Sequence, residues 1–332
     1  RLLDPAGFVR LVRTLRHAQA DVIHAHLGYC AILVTLAARL AGKPVVTTLH
    51  VSPQDDARFG EFIKERLAVR LPSRLGRLVL VSHHLYHRYA ERHGPARDTW
   101  RVIPNAIDVE RYTPARGSAG SDRPVWAVVA ALRPKKNHLD LIRAWTEVAA
   151  VHPDATLLVV GDGPCRAELD RAVAEAGLTR SVQFLGSRTD VCEILQGVDG
   201  VVSASVDEAL PTALIEAAAC GVPIVAADAG GTREIVLDGV TGRLVPLRDV
   251  PALTGALLEV MGDPVRAAGY GRAARALAEQ TYAMPAWANQ LRGLYREVID
   301  APSRRRRGHR RRTVPAVRTP RNARPEACRS SA

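Results

Sequence analysis

Short apolar runs alternate with helix-patterned stretches twice along this 332-residue chain, and that alternation restricts it to parallel β-sheet covered by helices. The first series opens at Asp4-Pro5, a helix start, followed by Phe8, Leu11, Val12 and Leu15 on one helical face. Strands are expected over DVIHAH (21–26), PVVTTLH (44–50), LVLVS (78–82) and RVIPN (101–105), separated by helices around 31–42, 60–75 and Leu85–Arg92. The second series begins with VWAVVAAL (125–132). It runs through a helix over Leu139–Val151, the strand ATLLVVGDG (155–163), a helix over Arg166–Ala176, the strand SVQFLG (181–186), a helix over Cys192–Gln196 and the strand VDGVVSAS (198–205). Between the two series, TPARGSAGSDRP (113–124) has the Gly, Ser and Pro content of a linker. The fold class is therefore α/β, with domains expected over 1–112 and 125–284.

The stretch from Ser203 to Gly231 carries the chemistry. It sets Glu208 and Glu216, separated by seven residues, across a strand-to-helix turn. Pro211 suits the first turn of a helix whose apolar positions are Leu214, Ile215 and Ala218, so Glu208 falls in the loop and Glu216 about one turn into the helix. Ligands of open α/β sheets sit at the carboxyl ends of strands, where unpaired helix N–H groups favour a phosphate. A carboxylate there can accept hydrogen bonds from vicinal hydroxyls, so one Glu could hold a hexose and the other a ribose on either side of a diphosphate. The plainer reading makes Glu208 a solvated loop charge and Glu216 a surface helix position.

Further along, Cys220-Gly-Val-Pro leads into the strand IVAAD (224–228), then Gly230-Gly231 and Glu234. DVIHAH, PVVTTLH, VLVSHH (79–84), VIPNAID (102–108), LRPKKNH (132–138), VVGDGP (159–164), VQFLG (182–186) and DGVTGRLVP (238–246) accompany this segment in order. The set resembles the retaining group 1 glycosyltransferases of GT-B fold, from residue 8 to about 300. The resemblance implies two Rossmann-like domains facing across a cleft, with a final helix near 285–300 returning to the first. It also implies transfer of a hexose-type sugar from a nucleoside-diphosphate sugar to a glycan or lipid-linked acceptor. Glu208, His50 and Lys136 would be catalytic, and Glu216, Lys136, Arg133, Gly161, Gly186, Ser187, Leu210, Pro211 and Thr212 would bind the donor. No further cofactor is implied. A member of that family begins with a strand and a Gly-rich loop before anything resembling Arg1, so the first domain is expected to be incomplete, with exposed sheet edges.

Departure of a nucleoside diphosphate builds negative charge that a metal or fixed donors must meet. The chain has no Asp-x-Asp metal motif, so Lys136 and the N–H groups near Leu210–Thr212 are assigned that task. Three departures stand out. Ala131 occupies the position of the family's Arg, with Arg133 two residues on; Ala209 replaces a Gly; and Ala106 replaces the Gly of the VIPNAID turn, which a left-handed backbone would resist. His50 ends its strand facing the cleft, whereas His24 and His26 are expected on opposite faces of theirs.

The net charge of +12 is concentrated in one place. Eleven Arg and one Glu between Arg304 and Ala332 contribute +10, leaving +2 for the rest. The segment 301–332 reads as a disordered basic tail that either docks on RNA, DNA or anionic lipid by neutralising phosphates or does nothing specific, and nucleic acid is not an expected partner of the protein. Of five cysteines, Cys30, Cys165, Cys192 and Cys220 are expected to be small buried residues and Cys328 lies in the tail; none has metal-like or paired spacing. No apolar run is long enough to span a membrane and no secretion signal is evident, so a cytoplasmic protein is expected, peripheral at the inner membrane face if the basic segment 61–77 lies on anionic lipid. That segment reads equally as an ordinary solvated helix face. Two other readings stay open: a sugar-nucleotide epimerase on the same fold, and a catalytically impaired or fragmentary paralogue retained for binding.

Overall fold

The computed structural model describes residues 4–26, 28–53, 57–115 and 123–301. The centre of the expected linker and nearly all of the basic tail lie outside them. The first series runs α1 (Pro5–His17), β1 (Ile23–His26), α2 (Gly28–Ala41), β2 (Val45–Leu49), α3 (Phe59–Leu75), β3 (Arg77–Leu80), α4 (His83–His93) and β4 (Trp100–Val102). All pairings are parallel and the order is β1-β2-β3-β4. Every residue of β2 is buried, as suits a β-branched run covered on both faces.

The second series is β5 (Val125–Val129), α5 (His138–Val151), β6 (Thr156–Val160), α6 (Arg166–Glu175), β7 (Val182–Gly186), α7 (Val191–Gln196), β8 (Gly200–Ser203), α8 (Thr212–Ala219), β9 (Ile224–Ala227), β10 (Gly242–Val245), α9 (Val250–Gly262), α10 (Pro264–Thr281) and α11 (Met284–Asp300). Its parallel sheet has the order β10-β9-β8-β5-β6-β7. The chain thus proceeds outward from β5 through β6 and β7, then returns to the other side of β5 with β8, and the strand order reverses between β5 and β8. Trp126 and Trp145 fill the core on one side of this sheet, with Leu141, Val148 and Leu157 around them.

Both sheets belong to one compact unit. An apolar cluster runs from Leu78, Leu80 and Leu85 through Ile107 and Tyr282 to Ile215 and Ala218. Helix α11 lies on the first sheet, packing Leu291, Leu294 and Val298 against Val46, Val79 and Ile103, and Glu297 accepts from Arg77 at 2.8 Å and Arg101 at 3.0 Å. The other tie is at the start of α4. Ser82 caps that helix and donates to the Ala209 carbonyl at 2.6 Å, while the Glu234 carboxylate accepts the N–H groups of His83 at 3.1 Å and His84 at 2.8 Å. A carboxylate from one domain thus completes the helix terminus of the other, where the dipole favours it. Glu234→Ala is expected to lower stability by about 1–2 kcal/mol; urea unfolding of the variant checks this, and an unchanged midpoint would show that the cap carries nothing.

Three expectations are corrected. His24 and His26, two residues apart on β1, share a face because side chains alternate with period two, and their rings stack with centroids 4.3 Å apart. Ala106 is not strained, since the only non-glycine residues with positive φ among those described are Asn137 and Arg248. Cys192 and Cys220 are buried, but Cys30, in the first turn of α2, is exposed, and Cys165, which precedes α6, is half-buried. Among the described residues no helix is long and apolar enough to cross a membrane.

Candidate active site

The reversal of strand order between β5 and β8 leaves a crevice beyond their carboxyl ends, and the loops that follow these two strands supply its charges. After β5 the chain makes a single 3₁₀ turn, Pro134–Lys136, and leaves it through Asn137 in the left-handed conformation, φ 52°. Asparagine tolerates that backbone, and its amide donates to Asp140 at 2.8 Å. The loop after β8 is tied to this turn by Val206 N–H donating to the Lys135 carbonyl at 2.9 Å. The effect is to stack two ion pairs. Lys135 meets Asp207 at 3.7 Å, both about half exposed. Lys136 donates to Glu208, which is only 7% exposed.

Each pair faces a different space. Glu208 and Lys136 line a cavity of about 300 Å³ with Ala130, Ser203, Ser205 and Leu210–Leu214. Its wall is the start of α8, where the N–H groups of Thr212 and Ala213 precede any intrahelical partner. Lys135 and Asp207 line a larger cleft of about 1150 Å³, bounded opposite by Ser52, His83, His84, His87 and Arg88 and on the near side by Arg233, Glu234 and Arg248.

Glycines shape this region at two points. A Cβ at Gly231 would come within 2.1 Å of the Ala209 carbonyl, and Gly231 N–H donates to the Glu208 carbonyl at 2.9 Å, so the Gly-Gly turn holds the Glu208 loop from behind. Gly161, at φ 137°, passes so close to Ala130 that a Cβ would lie 2.0 Å from its carbonyl. Gly161 also donates to the Gly186 carbonyl at 2.8 Å, joining the ends of β6 and β7.

Of the residues singled out from sequence, Lys136, Glu208, Leu210, Pro211 and Thr212 converge on the smaller cavity. Pro211 is the residue before α8 rather than inside its first turn. Gly161, Gly186 and Ser187 do not line it, and Ser187 is exposed after β7. Arg133 is exposed and its guanidinium has no partner among the described residues; Ala131 is exposed beside it. Glu216 lies elsewhere again, half-buried, and accepts a hydrogen bond from the Tyr112 hydroxyl. Burial raises the Glu216 carboxyl above its ordinary range, and the Tyr112 bond and the Arg111 charge oppose this. Arg275 fixes Tyr112 in turn, its guanidinium donating to the Tyr112, Val109 and Ala219 carbonyls at 2.5, 3.0 and 2.6 Å.

His50 sits at the end of β2 in the other domain. Its Nε2 is 2.9 Å from His26 Nδ1, so one shared proton joins the two rings, and the Asn105 side chain bonds it as well. His24 continues the group, with Nδ1 2.7 Å from the Tyr295 hydroxyl of α11 and Nε2 2.7 Å from the Thr48 hydroxyl. Burial, followed by the charges of His26 and His50, lowers His24 to about 4. Burial, then His26, lowers His50 too. Ser203, Ser205, Tyr112 and Glu234 were not assigned roles from sequence. Ser203 and Ser205 have a signal in their period-two spacing at a strand end; nothing in the spacing of Tyr112 and Glu216 announces their bond. Among the described residues no group of three or more His, Cys, Asp or Glu is arranged to hold a metal ion.

Two parallel-sheet domains with a charged pocket at the strand-order reversal define a GT-B architecture, and the Anabaena protein HepE, solved with UDP-glucose, has it: TM-score 0.77, 25% identity, covering 87% of this chain and 83% of that one. Residues 123–263 match the family described as glycosyl transferases group 1, and residues 1–111 match glycosyltransferase family 4. The GDP-mannose-dependent alpha-(1-6)-phosphatidylinositol monomannoside mannosyltransferase of Mycolicibacterium smegmatis is 31% identical over 284 residues, covering 79% of this chain and 71% of that protein. The Escherichia coli UDP-Gal:alpha-D-GlcNAc-diphosphoundecaprenol alpha-1,3-galactosyltransferase is 27% identical over 282 residues, covering 79% and 72%. This chain belongs to the group 1 glycosyltransferases.

Proposed function

We propose that the chain transfers a hexose from a nucleoside-diphosphate sugar to a glycan or lipid-linked acceptor, with retention and without a metal, at the cytoplasmic side of a membrane. This reading rests on the pair of a half-buried Lys136 and a buried Glu208, facing the first N–H groups of α8 across a cavity of about 300 Å³. A diphosphate in that cavity competes for the Lys136 ammonium, which frees the Glu208 carboxylate to accept from sugar hydroxyls. As the bond from the anomeric carbon to the β-phosphate oxygen breaks, charge gathers on that oxygen, and Lys136 with the Thr212 and Ala213 N–H groups meets it. The acceptor oxygen bonds the anomeric carbon on the face the phosphate leaves, and its proton passes to the departing phosphate. Glu216 would hold the ribose, with Tyr112 fixing its carboxylate. His50 would contact the sugar from the facing domain. Relatives of both GDP-sugar and UDP-sugar type support the donor class without choosing the base.

Incubation with GDP-mannose, UDP-glucose and UDP-galactose in the presence of a chelator tests this. Release of one nucleoside diphosphate, with the freed sugar appearing first as the donor's own anomer by NMR, is expected. Release only after a divalent metal is added, or an inverted anomer, contradicts it. A second reading, a binding protein with impaired turnover, is favoured by Ala131, which leaves open the place of a second cation. Nucleotide binding without turnover of any donor would select it.

A further inference from the structure

Helix α3 turns Ala68, Val69, Pro72 and Ser73 into the protein. Phe62, which the linear sequence groups with the basic residues, also faces inward, 5.4 Å from the His93 ring and under Arg92, while Arg77 is occupied by Glu297. The opposite stripe differs in kind. Phe59, Ile63 and Leu67 follow one another at four-residue spacing, with Phe59 81% and Leu67 40% exposed. Along the same stripe the next turns carry Arg70 and Arg74, with Arg66 beside them. Arg97, from the loop after α4, joins them: partial desolvation and then the like charges of Arg66, Arg74 and Arg97 bear on the Arg70 guanidinium. None of these four arginines has an acidic partner among the described residues, so the protein tolerates mutual repulsion beside an exposed phenylalanine.

We propose that this face of α3 docks on an anionic lipid bilayer, with Phe59 and Leu67 entering the interface and the arginines lying among the lipid phosphates. Basic side chains with bulky apolar ones along one outward stripe suit a surface that offers both negative charge and hydrocarbon. A nucleic acid would meet the charges but leaves Leu67 and Ile63 without a function. The inference rests on the membrane-side location proposed above and names the face that meets the membrane; it does not depend on which donor the chain uses.

The full chain should sediment with phosphatidylcholine vesicles containing phosphatidylglycerol and not with phosphatidylcholine alone. The triple substitution Arg66→Gln, Arg70→Gln, Arg74→Gln should weaken that binding about 100-fold, although the arginine-rich carboxyl end is unchanged. Phe59→Trp supplies a local readout: brominated phosphatidylglycerol should quench the added fluorescence, and part of the binding should survive high salt because apolar insertion is not screened. Wild-type binding by the triple variant, an unquenched tryptophan, or displacement from vesicles by duplex DNA at equal phosphate would each overturn the proposal.

Discussion

Lys136→Ala should lower turnover of the cognate nucleoside-diphosphate sugar by about 10²–10³-fold, the cost of removing one preorganised donor from a developing oxyanion. The same substitution has a second effect. Glu208 is 7% exposed and Lys136 is its ion-pair partner, and an uncompensated buried charge costs about 3–5 kcal/mol. The two effects separate in the double variant Lys136→Met, Glu208→Gln. Removing both charges should restore most of the stability, because a buried pair contributes little net free energy over neutral groups of similar size, whereas activity should stay lost. The neighbouring pair is the control. Lys135 and Asp207 are half exposed at 3.7 Å, so Lys135→Ala should change stability by under about 1 kcal/mol. Steady-state kinetics and urea unfolding of the four proteins give the comparison, and wild-type turnover by Lys136→Ala would remove this lysine from the mechanism.

Stability should fall steeply between pH 6.5 and 4. His24 and His138 are both lowered from 6.5 to about 4, chiefly by burial, with His26 and His50 acting further on His24 and Lys136 on His138. Across that window the unfolded chain binds protons that the native rings refuse, so the unfolded state gains as the pH drops. The stabilisation from neutral rings is complete above 6.5 and is gone once the pH has passed below 4. One full shift of this size corresponds to roughly 3 kcal/mol, and His24 is open enough to solvent that screening reduces its share. A combined loss of about 3–5 kcal/mol is therefore expected, read as a falling thermal midpoint from pH 7 to pH 4.5. His138→Asn should flatten part of the slope, since its Nε2 has no partner to lose. A midpoint constant over that range would contradict burial of these rings as neutral species.

Much of this architecture is legible in the sequence because parallel strands announce themselves as short apolar runs with helices between. The strands over Ile23–His26, Val45–Leu49 and Val125–Val129 fall within the runs that mark them. The strand Gly242–Val245 and the helices Val250–Gly262 and Pro264–Thr281 do not stand out as cleanly, since the strand is four residues long and the helices are rich in small residues. At the site, Glu208 and Lys136 could be singled out one by one, but their ion pair spans 72 positions and depends on β8 returning beside β5. Nothing local in the chain states that reversal. The same holds for Glu234 reaching α4 and Tyr112 reaching Glu216, contacts set by how elements distant in sequence meet.

A nucleoside diphosphate is proposed to bind in the cavity between Lys136 and the start of α8. Calorimetric titration of the folded chain with UDP and with GDP checks this. One of the two should bind at a single site, and that binding should be lost in Lys136→Ala and weakened in Glu216→Ala, which lacks the proposed ribose contact. Binding of neither nucleotide by a folded protein, or undiminished binding by Lys136→Ala, would contradict it.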